Sequence, residues 1–159
     1  MAFILSEDRI GSVSELKNAF ERYQTYLSVN RERFPVGAFE LASSEWYFSF
    51  DDPRAPHDAW LHELSISESQ GEGGVGSVII RIKLLNAQQD RFLQFSYSNV
   101  SGYELGLASQ SGHRDWRYDE FRLTDGGQVL HEIEWAGAKH SARWKIISED
   151  VAFSVVQMS

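Results

Sequence analysis

The chain has 159 residues, enough for one ordinary domain, of which 42% are hydrophobic, 24% charged and 13% aromatic, with five Trp. That balance suits a packed core and argues against disorder. It has no cysteine, which excludes disulfides, thiolate metal sites and a cysteine nucleophile and makes a reducing, cytoplasmic setting the natural expectation. A net charge of −8 and a pI near 5.1 oppose binding to nucleic acid or anionic lipid and leave a basic protein as the macromolecular partner that charge favours.

The amino end carries a short apolar run, Phe3 to Leu5, with no basic residues before it and acids after. It does not read as a secretory signal. No apolar run approaches the about 18 residues that would suggest a membrane span. Asn99-Val100-Ser101 fits a glycosylation tripeptide, which would matter only in a secreted protein.

A helix is predicted over about 13–33. Ser12-Val13-Ser14-Glu15 fits a capping box, and Leu16, Ala19, Phe20, Tyr23 and Leu27 follow at helical spacing. Pro35 disfavours helical geometry at Phe34 and so stops the helix by about Arg33. Residues 35–44 fit either a second short helix or a strand.

From about residue 46 to 157 the hydrophobic period changes to two. Trp60, His62, Leu64 and Ile66 share one side of a candidate strand, and Val78, Ile80, Ile82 and Leu84 one side of the next. The alternation recurs at Leu93, Phe95 and Tyr97; at Tyr103, Leu105 and Leu107; and at Phe121 and Leu123. It returns at Val129, His131, Ile133 and Trp135, at Trp144 and Ile146, and at Val151, Phe153 and Val155. Eight strands joined by short turns describe an antiparallel meander.

Between the first two strands, Gly71, Gly73 and Gly76 fit G-x-G-x-x-G. A dinucleotide turn must open a helix, whose amino-terminal amides hold the pyrophosphate. Here β-branched, alternating residues follow, and Glu68 and Glu72 would repel phosphate. The segment reads as a hairpin loop. Asp125-Gly126-Gly127 and Ala136-Gly137-Ala138 supply two further turns. The second would set Glu132 and Glu134 on one outer face with Arg143 and Lys145.

Residues 50–63 hold the densest set of chemically capable side chains: Asp51, Asp52, His57, Asp58, His62 and Glu63. His57, Asp58 and Asp52 form a candidate divalent-metal set, since imidazole and carboxylate are common ligands. The spacing matches no known metal motif, and Pro53 and Pro56 suit a rigid loop in which Asp52 and Asp58 accept local amide bonds. Nucleophile elbows and cysteine nucleophiles are lacking, so no catalytic residue is assigned and no cofactor is called for. His113 and His140 read as surface residues. His62 and His131 fall on the expected apolar face beside Trp60 and Trp135, where each needs a hydrogen-bond partner or a ligand. A pocket between sheet and helix would use His62 and His131 as polar contacts and Trp60, Trp135 and Tyr23 as walls.

The resulting expectation is a single α+β domain over 1–159, with one long amino-terminal helix on a strongly curved antiparallel sheet of about seven or eight strands, half-barrel or barrel-like. In outline this resembles the bacterial domains of one helix and a curved sheet that serve as small ligand binders and as toxin-neutralising immunity proteins. The resemblance rests on architecture and acidity and carries over no residue. It favours a non-enzymatic protein-binding domain, with a small-molecule pocket in the curved sheet as the first alternative. A hydrolase-type enzyme built on the His and Asp cluster at 51–63 is the second.

Overall fold

The computed structural model describes residues 1–107, 109–138 and 140–158. Two helices, α1 (Val13–Val29) and α2 (Val36–Ser43), precede eight strands. These are β1 (Trp60–Gln70), β2 (Gly76–Leu85), β3 (Arg91–Ser98), β4 (Gly102–Leu105), β5 (Trp116–Leu123), β6 (Val129–Trp135), β7 (Ala142–Ser148) and β8 (Asp150–Gln157). The Ser12 hydroxyl accepts the Glu15 amide at 3.2 Å, one of the two bonds of the expected capping box. The α-helix ends at Val29, where Asn30 bonds the Tyr26 carbonyl through both its amide and its side chain. A single 3-10 turn, Arg31–Arg33, carries the chain to Pro35 and α2.

The strands do not form one curved meander. They divide into two antiparallel four-stranded sheets, ordered β1-β2-β3-β8 and β4-β7-β6-β5, neither closed nor strongly curled. The division is made at two short connections. Residues 99–101 take the chain from β3 into the second sheet, and Glu149 brings it back from β7 into β8. Ser101 N–H bonds Ile147 O and Glu149 N–H bonds Ser98 O at that corner, each at 2.9 Å. The candidate strand 102–108 is realised as four residues; Leu107 is exposed and Ala108 lies outside the described residues.

The inner faces of both sheets supply the core: Ile80, Ile82, Leu84, Leu93, Phe95 and Tyr97 from the first, Phe121, Val129, Ile133, Trp135, Trp144 and Ile146 from the second. The glycine segment is a hairpin between β1 and β2, with Gly73 and Gly74 at φ of 70° and 78°. Alternation fails early in β1, where a bulge between Leu61 and Glu63 makes His62 the extra residue. Trp60 and His62 therefore face solvent instead of the core.

The helices close what the sheets leave open. β5 is an edge strand, and an edge presents unpaired amides and carbonyls. The Tyr23 hydroxyl, buried on α1, accepts the Phe121 amide at 2.7 Å and donates to the Phe121 carbonyl at 3.0 Å. Tyr26 accepts the Leu123 amide at 2.8 Å. Two helical tyrosines thus take the place of a ninth strand. At the other sheet, the Asp150 carboxylate caps the start of α2 by accepting the Gly37 and Ala38 amides at 3.0 and 2.9 Å. Gly37 sits so close that an added Cβ would stand 2.1 Å from the Val151 carbonyl oxygen.

Candidate functional site

The sequence-derived pocket residues fall into two groups. His131, Trp135 and Tyr23 are buried in the interior, whereas Trp60 and His62 lie on the surface. The pocket as drawn between sheet and helix is not assembled by this fold.

His131 lies at the centre of a buried polar network. Tyr97, from β3, donates its hydroxyl to His131 Nδ1 at 2.6 Å, and His131 Nε2 donates to Asp119 Oδ2 at 2.7 Å. Tyr47, from the segment after α2, donates to the same Asp119 oxygen at 2.6 Å, and Trp116 Nε1 donates to Oδ1 at 3.1 Å. The neutral tautomer with its proton on Nε2 satisfies every group at once. The carboxylate collects three donors and the imidazole is stacked on Phe121 at 3.9 Å. Burial pushes the Tyr47 and Tyr97 hydroxyls well above the ordinary tyrosine range, with Asp119 adding to it, so both remain protonated donors. The order Tyr97, His131, Asp119 has the outline of a nucleophile, base and orienting acid. All five residues are nevertheless shut away from solvent, and the network reads as a structural pin.

A second polar layer covers the outer face of the second sheet. The Glu120 carboxylate accepts the Phe3, Ile4 and Leu5 amides at 3.0–3.2 Å. The short apolar run at the amino end is therefore a strap held by a carboxylate more than a hundred residues away. Arg9 bonds Glu134, and Arg143 bonds Glu132, Glu134 and the Leu5 carbonyl. Glu132 and Glu134 pair in register with Lys145 and Arg143, as the hairpin reading requires. Burial raises the Glu120 carboxyl and outweighs the neighbouring Arg122 and the strap amides. Burial works the same way on Glu132, but Arg122 and Arg143 outweigh it and hold that carboxyl below its usual value.

The 50–63 cluster forms no constellation. Bidentate bonding to Arg54 holds Asp52 down at about 2. His57 stacks on Phe50 at 3.8 Å, and its Nδ1 lies 3.2 Å from Asp58 Oδ2 without hydrogen-bond angles. Asp58 is turned to a φ of 64° so that its amide reaches the Trp116 carbonyl at 2.8 Å. Among the described residues, no group of three or more His, Asp or Glu side chains is arranged to hold a metal ion.

On the exterior two features stand out. The outer face of the first sheet carries a row in register across all four strands: Trp60 opposite Leu85, Leu85 opposite Phe92, Phe92 opposite Val156. Trp60 is 52% and Val156 43% exposed, and the middle pair is partly covered. His62 lies 4.6 Å from the Phe92 ring, and the Lys83 ammonium sits 4.4 Å above it. The alternation expected for β1 puts Trp60 inward, so the row that joins it to Leu85, Phe92 and Val156 emerges only from the register of the four strands. The second feature is a groove of about 270 Å³ lined by Trp60, Leu61, Ser111, Gly112, His113 and Arg114. His113 is half-buried between Trp135 and Trp144, not free on the surface, and burial lowers its pKa. No helix among the described residues is long and apolar enough to cross a membrane.

Comparison with family models, curated proteins and solved structures gives no match.

Two measurements test the assignment of the buried network to structure. In denaturant unfolding, His131→Leu is expected to cost about 1–3 kcal/mol or more, because Tyr97 and Asp119 lose their partner inside the core. His62→Leu is expected to stay within about 0.5 kcal/mol, as a surface change does; equal effects would contradict the placement of the two histidines. The second measurement is alkaline unfolding. The Tyr23, Tyr47 and Tyr97 hydroxyls are all raised above 10.0 by burial, so the folded state holds protons that the unfolded chain gives up. Their contribution is complete below pH 10 and is lost as pH rises through the folded values, with a slope approaching about 4 kcal/mol per pH unit for three groups. The triple change to Phe should flatten that slope.

Proposed function

We propose that this chain is a non-enzymatic protein-binding domain that covers part of a basic partner, in the manner of a toxin-neutralising immunity protein. One observation carries the reading: the row of Trp60, Leu85, Phe92 and Val156 across the outer face of the first sheet. A solvated sheet face is ordinarily polar, and a contiguous apolar row with Trp at its end is the composition of an interface centre. The rows beside it are polar. Glu63, Lys83, Gln94 and Ser154 come next in register, then Ser65, Arg81, Ser96 and Ala152. Charge and contact play separate parts. The net charge of −8 attracts a basic protein over distance and raises the rate of encounter, and the apolar row supplies the contact.

The contrast with the interior supports a binding role over a catalytic one. The nearest approach to a catalytic arrangement among the described residues, Tyr97 with His131 and Asp119, is sealed, and the exposed histidines and carboxylates described do not converge.

The test is affinity capture from an extract of the native organism, using the wild type, Phe92→Glu, Val156→Glu and, as a control on the same face, Ala152→Glu. The expected result is a protein held by the wild type and the control and weakened at least about tenfold by each row variant. Its association rate should fall with added salt. Equal retention by all four chains, each verified folded by thermal melting, would contradict the reading.

A further inference from the structure

The groove beside Trp60 offers chemistry that the row does not. Its wall is an indole held in place: Trp60 Nε1 donates to Asp115 Oδ1 at 2.5 Å, and the backbones of the same two residues form an isolated bridge. With the indole N–H committed, the ring is left as a fixed apolar surface, ready for stacking at little cost in entropy. Arg114 also lines the groove, exposed and in no salt bridge among the described residues. Its φ of 64° is unusual for a residue other than glycine, and such backbone strain gathers at ligand sites. The strand ends anchor the loop, since Gly137 N–H bonds the His113 carbonyl at 2.9 Å and Ala136 N–H bonds the Asp115 carbonyl at 2.8 Å.

A further observation points inward from the groove. His113 Nδ1 and Trp135 Nε1 are both buried without a hydrogen-bond partner, and their rings lie 5.1 Å apart. Buried polar atoms are rarely left unpaired. His113 itself lines the groove, so the unpaired nitrogen belongs to a ring that forms part of the site.

We infer that this groove binds a small aromatic carboxylate, its ring against Trp60 and its carboxylate on the Arg114 guanidinium. Stacking on a fixed indole selects a planar ligand, and an unpaired guanidinium offers the fork that a carboxylate fits. A volume of about 270 Å³ is at the small end for ligand sites and suits a ring with a short acid arm. This site shares Trp60 with the apolar row, but Phe92 and Val156 do not line it, so the two readings fail at different residues.

The experiment is an NMR titration of the ¹⁵N-labelled chain, following the five tryptophan indole resonances. The probes are indole-3-acetate and its neutral amide. Indole-3-acetate should shift the Trp60 indole saturably, with a Kd on the order of 1 mM, as expected for a ligand of this size. The amide should bind at least about fivefold more weakly. Arg114→Gln should erase the difference between acid and amide, and Phe92→Glu should leave both affinities unchanged, which separates this site from the row. No saturable shift up to about 10 mM, equal affinity for the two probes, or an acid preference that survives Arg114→Gln would each overturn the assignment.

Discussion

Asp119 is the residue through which the parts of this fold meet. Its carboxylate lies inside the core and takes donors from Tyr47 beyond α2, from Trp116 on its own strand and from His131 on β6; through His131 it reaches Tyr97 on β3. The segment after α2 and both sheets are thereby tied to one carboxyl group. Leaving any of these donors or acceptors unmatched in a dry interior costs more than a typical hydrogen bond gains. The network therefore rewards one relative placement of the sheets and penalises others that would bury as much apolar surface.

The same economy governs the periphery. Tyr23 and Tyr26 pair the open edge of β5, Asp150 pairs the first amides of α2, and Glu120 pairs three successive amides of the amino-terminal strap. In each case a side chain distant in sequence satisfies backbone groups that secondary structure leaves unpaired. Four of the chain's carboxyl groups, Asp119 in the core and Glu120, Glu132 and Glu134 under the amino-terminal strap and its arginines, are buried. What remains for function is the surface, where the apolar row and the groove at Trp60 lie.

Local features were legible in the sequence. The Ser12 cap, the glycine hairpin and the inward positions of β2, β3, β6 and β7 follow from spacing that the structure keeps, whereas α1 stops at Asn30, ahead of the stop expected from Pro35. Three things were not legible. The steps at 99–101 and at Glu149 look like hairpin turns, since a short connection within a sheet and one between sheets use the same few polar residues; this hid the second sheet. The bulge at His62 has no glycine to announce it, and it turned Trp60 and His62 outward. Glu120 alternates as a solvent-facing residue should, and its burial depends on a strap whose only sign was the run from Phe3 to Leu5. The apolar row and the groove were hidden by the second of these, because both depend on the register of β1.

The claim that one shared network fixes the two sheets can be measured by a double-mutant cycle between Tyr47→Phe and Tyr97→Phe. These hydroxyls sit on different parts of the fold and connect through Asp119 and His131. A shared network predicts that their effects on unfolding free energy are non-additive by about 0.5–3 kcal/mol. Additivity to within about 0.3 kcal/mol would mean that each hydroxyl acts alone, and would contradict the account.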